Sequence, residues 1–132
     1  MGENIEIAEK VFEACQKKDF DALKELVDED YTLTDPMMEL HGVDELIEMI
    51  KACPGGGGFE NMTRIADGET VVSLFDGTMP GQKPMRMCSV MTIKDGKLIA
   101  EEMIYDTAQV PQKMKDAIAK GKPSGVEAGA PN

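Results

Sequence analysis

One carboxylate in this chain is flanked by residues that suit acid–base chemistry. Asp35 ends the run Tyr31-Thr32-Leu33-Thr34-Asp35-Pro36, which reads as a short strand, because Pro36 cannot donate the next ladder hydrogen bond. Strand alternation puts Tyr31, Leu33 and Asp35 on one face. With Leu33, Met37 and Met38 around it, the Asp35 carboxyl is expected to be partly withdrawn from water. That raises its pKa toward the range useful to a general base. A competing reading makes Asp35 a turn cap, since Asp before Pro favours turn initiation. His41, the single histidine, stands at the entrance of the next helix. Turned inward it would supply a proton donor; a surface or capping role is the alternative.

Other chemistries find less support. Cys15, Cys53 and Cys88 are an odd number without metal-ligand spacing and read as reduced thiols, which points to a cytoplasmic protein. One histidine and scattered carboxylates make no metal cluster, so no metal site is expected. Gly55-Gly56-Gly57-Gly58 follows a helix and is not followed by Lys-Ser or Lys-Thr, so it reads as a turn rather than a phosphate loop. A net charge of −11 argues against nucleic acid and anionic membranes alike. The N-terminus lacks the basic flank and apolar run of a secretory signal, and no apolar stretch approaches the roughly 20 residues of a membrane span.

The 132 residues, 42% hydrophobic and 30% charged, suit one globular domain. Ile5, Ala8, Phe12 and Cys15 recur at helical steps and predict a helix over residues 4 to 18, with Asn4 as its cap. Asp19 is expected to cap a short second helix with Phe20, Leu23, Leu26 and Val27 on one face. Asp28-Glu29-Asp30 reads as a solvated connection. A loop follows the Asp35 strand, and then a third helix over residues 43 to 52, its buried side marked by Val43, Leu46, Ile47 and Ile50. Strands over 59 to 66 and 69 to 79 flank Asp67-Gly68; strands over 85 to 94 and 97 to 106 flank Asp95-Gly96. Asp-Gly between alternating runs is a hairpin signal. The domain is drawn over residues 1–110, with 111–132 an extension that is helical over part of Gln112 to Lys120 and disordered from Gly121.

This order is α+β, with a bent sheet wrapped around helices. The chain resembles the nuclear transport factor 2-like superfamily, in particular its SnoaL-like and ketosteroid-isomerase-like branch. The resemblance is carried by Lys18-Asp19-Phe20-Asp21-Ala22-Leu23, Thr34-Asp35-Pro36, His41-Gly42, Asp95-Gly96-Lys97-Leu98-Ile99 and Ile104-Tyr105-Asp106. It implies a cone-shaped, mainly antiparallel sheet around three N-terminal helices, and it puts Asp35 where the isomerases hold their general base. Their two oxyanion donors match Val11 and a position on or near Ser89. A missing donor costs about 3 kcal/mol of transition-state stabilisation, so steroid isomerisation itself is not expected.

With Ser89 facing inward, Met85, Met87, Met91 and Ile93 share its face, and the same matching turns Glu101, Met103 and Tyr105 inward. The expected pocket therefore holds Asp35, Ser89, Glu101 and Tyr105 in a wall of Tyr31, Leu33, Met37, Met38, Met87, Met91 and Met103. The 11 methionines suit either an adaptable apolar pocket or plain core filling. Tyr105, Ser89 or His41 would donate to the oxygen on which charge develops, and no cofactor is needed for such a proton transfer. Two functions follow as expectations. One is catalysis of an isomerase, cyclase or dehydratase type on a small apolar carbonyl compound. The other is non-catalytic binding of a small hydrophobic molecule, or assembly. Cys88, Val90, Thr92 and Ile104 make the outer sheet face apolar, and a homodimer through it is expected.

Overall fold

A computed structural model describes residues 2–53 and 57–120. Helices α1 (Gly2–Lys17) and α2 (Phe20–Leu26) lead into β1 (Val27–Thr34) and β2 (Glu39–His41). Helix α3 (Val43–Ala52) follows, then β3 (Gly58–Asp67), β4 (Thr70–Thr78), β5 (Met85–Lys94) and β6 (Lys97–Ile104). A 3-10 turn at Thr107–Gln109 and α4 (Gln112–Lys120) complete the described chain. The strands form one open sheet in the order β2-β1-β6-β5-β4-β3. Every pairing is antiparallel except β1 with β6, which is parallel. This is the expected α+β cone: α1 packs against β3 to β6, α2 against β1 and β6, and α3 against β1 and β2.

Local chemistry explains most boundaries. Asp19 Oδ1 accepts from the Ala22 N–H at 3.2 Å and starts α2, as expected. Asn4 does not cap α1, which begins at Gly2. Its Nδ2 instead donates to the Gly68 carbonyl at 2.9 Å, tying α1 to the β3–β4 turn. Asp95 and Gly96 both adopt positive φ, 52° and 79°, as a two-residue turn of the I′ kind requires. The first hairpin is shifted by one residue: Asp67 pairs with Thr70, so Gly68-Glu69 forms the loop, and Gly68 takes the positive φ of 60°.

Two readings are corrected. Asp28-Glu29-Asp30 is not a connection but part of β1. The β1–β6 register shifts between Val27, opposite Leu98, and Thr32, opposite Ala100, so the acidic residues bulge outward. Val27 and Tyr31, at 2% and 0% exposure, anchor the bulge from both sides, and Asp28 Oδ2 accepts from the Asp30 N–H at 2.9 Å. The segment after Pro36 is not wholly loop either. Its residues Glu39–His41 form β2, paired with β1 and driven by full burial of Leu40. The expected extension contains α4, with Ile118 packed against the core. Residues 121–132, expected to be disordered, lie outside the described residues, as do Gly55 and Gly56 of the glycine run.

The core joins α1 to the sheet through Phe12, Phe59 and Phe75, whose rings meet edge to face at centroid distances of 5.0, 5.1 and 5.4 Å. Phe75 is fully buried. Its replacement by Ala leaves a cavity that this rigid trio cannot collapse. Phe75→Ala is expected to cost about 3–5 kcal/mol, read as a lower urea midpoint with little change in slope.

Candidate functional site

Parallel pairing of β1 with β6 sets Leu33 opposite Glu101 and Thr34 opposite Glu102. Residues leaving the C-terminal ends of these strands therefore emerge at one end of the sheet. That is where the Tyr105 phenol lies beside the Asp35 carboxylate. The hydrogen bonds of Asp35 are local: Oδ1 accepts from the N–H groups of Met37 at 2.7 Å and Met38 at 2.8 Å. The Asp35 N–H donates to the Met38 carbonyl at 3.0 Å, closing the β1–β2 turn. Asp35 thus caps a turn and lines the interior at once. Burial pushes its carboxyl above the ordinary aspartate range, and the two backbone N–H groups and the neighbouring Tyr105 phenol, which favour the charged form, offset only part of that push.

A second carboxylate lies deeper. Glu101 Oε1 accepts from the Tyr31 hydroxyl at 2.9 Å, and Oε2 from Ser89 Oγ at 2.8 Å. Tyr31 and Ser89 are both fully buried. Burial raises the Glu101 carboxyl, the two hydroxyl donors lower it, and the charge of Asp35 raises it again; the net direction is upward. Tyr31 and Tyr105 are also pushed up, first by burial and then by the carboxylate beside each. Cys15, on α1 and close enough to feel Glu101, is pushed up to about 12 by burial, so it stays a thiol and offers no nucleophile.

The structure thus brings Asp35, Tyr105, Ser89, Glu101 and Tyr31 to the interior face, with buried Leu33, Met38 and Met91 and half-buried Met37, Met87 and Met103 around them. The interior face of β5 is as alternation placed it: Ser89, Met91 and Ile93 are buried and Arg86 is exposed. His41 is not brought in. On β2, Leu40 points inward, so alternation turns Glu39 and His41 outward. The His41 side chain is 54% exposed, with Nε2 3.4 Å from Glu39 Oε1, and its backbone N–H donates to Glu45 Oε1 at 2.8 Å. Ser89 is buried on the interior face, and its hydroxyl is directed at Glu101. Neither Arg86 nor Arg64 pairs with Glu101. Arg86 pairs with Asp76 at 3.3 Å, and Arg64 lies over the Phe12 ring, 3.8 Å from Glu9.

Sequence reasoning placed Glu101 and Tyr31 in the pocket wall but missed their bond. The signal available was a strand glutamate on the same face as a serine and a tyrosine. A separate surface groove of about 920 Å3 between α1 and β3, lined by Phe12, Phe59, Met62 and Arg64 among others, includes none of these groups. Among the described residues no group of three or more His, Cys, Asp or Glu gathers as a metal site would require, and no helix is long and apolar enough to cross a membrane.

The family model described as "SnoaL-like domain" matches residues 8–102. The chain belongs to the SnoaL-like family. This SnoaL-like chain is similar in structure to a candidate ketosteroid isomerase from Kribbella flavida, with TM-score 0.74 and 16% identity over 83% of this chain and 82% of that one. It is also similar to an LEH-like epoxide hydrolase from M. tuberculosis, with TM-score 0.68 and 21% identity over 91% of this chain and 92% of that one. A candidate polyketide cyclase from Sinorhizobium meliloti gives TM-score 0.63 and 26% identity over 74% and 93%. No functionally curated protein matches by sequence. The nuclear transport factor 2-like fold is therefore shared among relatives with different activities.

Because burial raises Glu101 in the folded state, that group contributes stability below the ordinary glutamate pKa of about 4.3. The contribution is lost as pH rises through its folded value. Glu101→Gln keeps the shape and removes the ionisation. Its stability relative to wild type should therefore climb as pH rises from about 4 and level off once wild-type Glu101 has ionised. Thermal unfolding over a pH series checks the sign; a flat difference would place Glu101 in water.

Proposed function

We propose that this SnoaL-like domain is a small-molecule pocket protein that catalyses cofactor-independent proton transfer on a small, largely apolar carbonyl compound, with Asp35 as general base. The observation that carries this reading is the position of Asp35 at the interior end of β1. Its carboxyl is raised by burial, oriented by two backbone N–H groups through one oxygen, and flanked by Leu33 and Met38. A base fixed by its own turn keeps its geometry while a substrate approaches. The isomerase and cyclase descriptions of structural relatives are compatible with such chemistry. The methionine wall suits a flat or irregular apolar substrate.

A second reading, non-catalytic binding or assembly, draws on a specific observation. Ser89, one of the hydroxyls nominated to stabilise a developing oxyanion, donates to a carboxylate, Glu101, at 2.8 Å. It must turn from Glu101 to serve a substrate. Wild type and Asp35→Asn, screened with enolisable ketones for α-proton exchange in deuterated water, separate the two. Catalysis predicts a loss of about a hundredfold or more in the Asn variant; retention within a few-fold would falsify Asp35 as the base.

The proposed partner on the outer face is a second copy of the chain. Ile65, Val72 and Val90 lie in register across β3, β4 and β5, beside Leu74, Cys88 and Ile104 across β4, β5 and β6. Ile65 is 62% exposed and Ile104 51%. Both are large apolar side chains left exposed among the described residues. Light scattering at micromolar concentration should return twice the 14.4 kDa chain mass. Ile65→Lys with Ile104→Lys should return one chain mass with the fold intact by circular dichroism.

A further inference from the structure

The groove between α1 and β3 lies apart from the Asp35 and Glu101 carboxyls and has a polar anchor of its own. β3 pairs with β4 through a register shift between Glu60 and Thr63, and Asn61 there takes a positive φ of 54°. The shift leaves Phe59, Met62 and Arg64 half-buried on the side that lines the groove, with Glu60, Asn61 and Thr63 exposed. Buried Phe12 forms the floor, its ring centroid 5.0 Å from that of Phe59 and 4.8 Å from Arg64 Cζ. The space of about 920 Å3 is of a size to take a small molecule.

Arg64 is fixed in place but only partly satisfied. Its Nε donates at 3.2 Å to Oγ of fully buried Ser73, which faces it in the β3–β4 register. Glu9 Oε2 stands 3.8 Å from Nη1, too far for a hydrogen bond. Among the described residues, Nε is the only nitrogen of this guanidinium with a hydrogen bond, and no sealed side-chain nitrogen lacks a partner. The Nη1–Nη2 fork therefore opens on the groove that Arg64 lines. Burial pulls Arg64 below the ordinary arginine value, and Glu9 offsets only part of that. The other charged residues of the lining, Glu6, Glu9, Lys10, Glu13 and Lys17, are all exposed on α1, where water and salt screen them. Arg64 alone is withdrawn from water, so its charge acts most strongly on a ligand at close range.

We propose that this groove binds a small monocarboxylic acid with a flat apolar body, the carboxylate replacing Glu9 at the Arg64 fork and the body lying on Phe59 and Met62. A guanidinium fixed through Nε and by the Phe12 ring presents two parallel donors, which match a carboxylate better than any single-point anion. Phe59 offers an aromatic surface and Met62 an adaptable one. The exposed glutamates of α1 disfavour a multiply charged anion. The bulge at Asn61 blunts β3 as an edge for strand addition, which favours a small molecule over an extended peptide. The site stands independently of Asp35, which is not among its lining residues.

The test titrates 2-naphthoic acid into the full chain near neutral pH, followed by calorimetry and by amide NMR shifts. Saturable binding is expected, with shifts concentrated in residues 6–17 and 57–64. The neutral 2-naphthalenemethanol should bind at least about tenfold more weakly. Arg64→Lys keeps the charge and loses the fork; it should weaken naphthoate by about tenfold and leave the alcohol unchanged. Glu9→Gln removes the competing carboxylate and should tighten naphthoate a few-fold, a gain that a purely structural Arg64 does not predict. Naphthoate that fails to bind, that binds no better than the alcohol, or that shifts residues 31–38 instead overturns the proposal. So does an unchanged affinity in Arg64→Lys. Should Arg64→Lys fold poorly by circular dichroism, Met62→Glu sets a like charge in the groove and leaves Arg64 in place. It should abolish naphthoate binding, and binding that survives it overturns the proposal as well. None of these outcomes bears on Asp35 as a base.

Discussion

The parallel contact between β1 and β6 is the constraint on which the site depends. In an otherwise antiparallel sheet it is the one junction where two strands run the same way. An antiparallel pairing there would send the residues after Thr34 and after Ile104 to opposite ends of the sheet. Running together, the two strands deliver Asp35 and Tyr105 to one place and set Glu101 beside Leu33. The chain can make this pairing because α3 and two long hairpins intervene between β1 and β6, supplying the connection that parallel strands need.

The bulge in β1 lets that pairing coexist with the acidic run. Asp28, Glu29 and Asp30 could not alternate through a buried sheet without placing a carboxylate in the core. The shift in register between Val27 and Thr32 carries the three outward and returns Tyr31 to the interior in phase with Leu33. Tyr31 is then positioned to donate to Glu101. The hydroxyls of Tyr31 and Ser89 offset the desolvation of Glu101, as a buried carboxylate requires. The three side chains form one hydrogen-bonded unit, and burial raises the pKa values of both interior carboxyls.

Much of this was legible in the chain itself. The apolar periodicity of α1 and α3, the Asp19 cap, the alternation in β5 and the Asp-Gly turns are local signals, set by backbone geometry and by which face must leave water. They determined the element order, the family and the inward faces of most strands. Asp35 was legible because Pro36 ends a strand and apolar residues surround it. Where local signals misled, a long-range contact had overridden them. Three consecutive acids read as a loop until burial of Val27 and Tyr31 drew them into a strand. His41 read as a candidate donor until burial of Leu40 decided which way β2 faces.

What only the tertiary structure decided is how the polar interior groups are joined. Tyr31, Ser89 and Glu101 are separated by 12 to 70 positions along the chain, and no periodicity within any one strand says that their hydrogen bonds close on one another. Sequence alternation places each on the inner face. The register between strands then chooses partners, and register is fixed by turn lengths, a bulge and the fit of the whole core. Residue type and spacing therefore determined the fold and the list of groups inside it. The pairing of those groups into two separate carboxyl centres belongs to the assembled sheet, because a hydrogen bond depends on distances that only the packed strands impose.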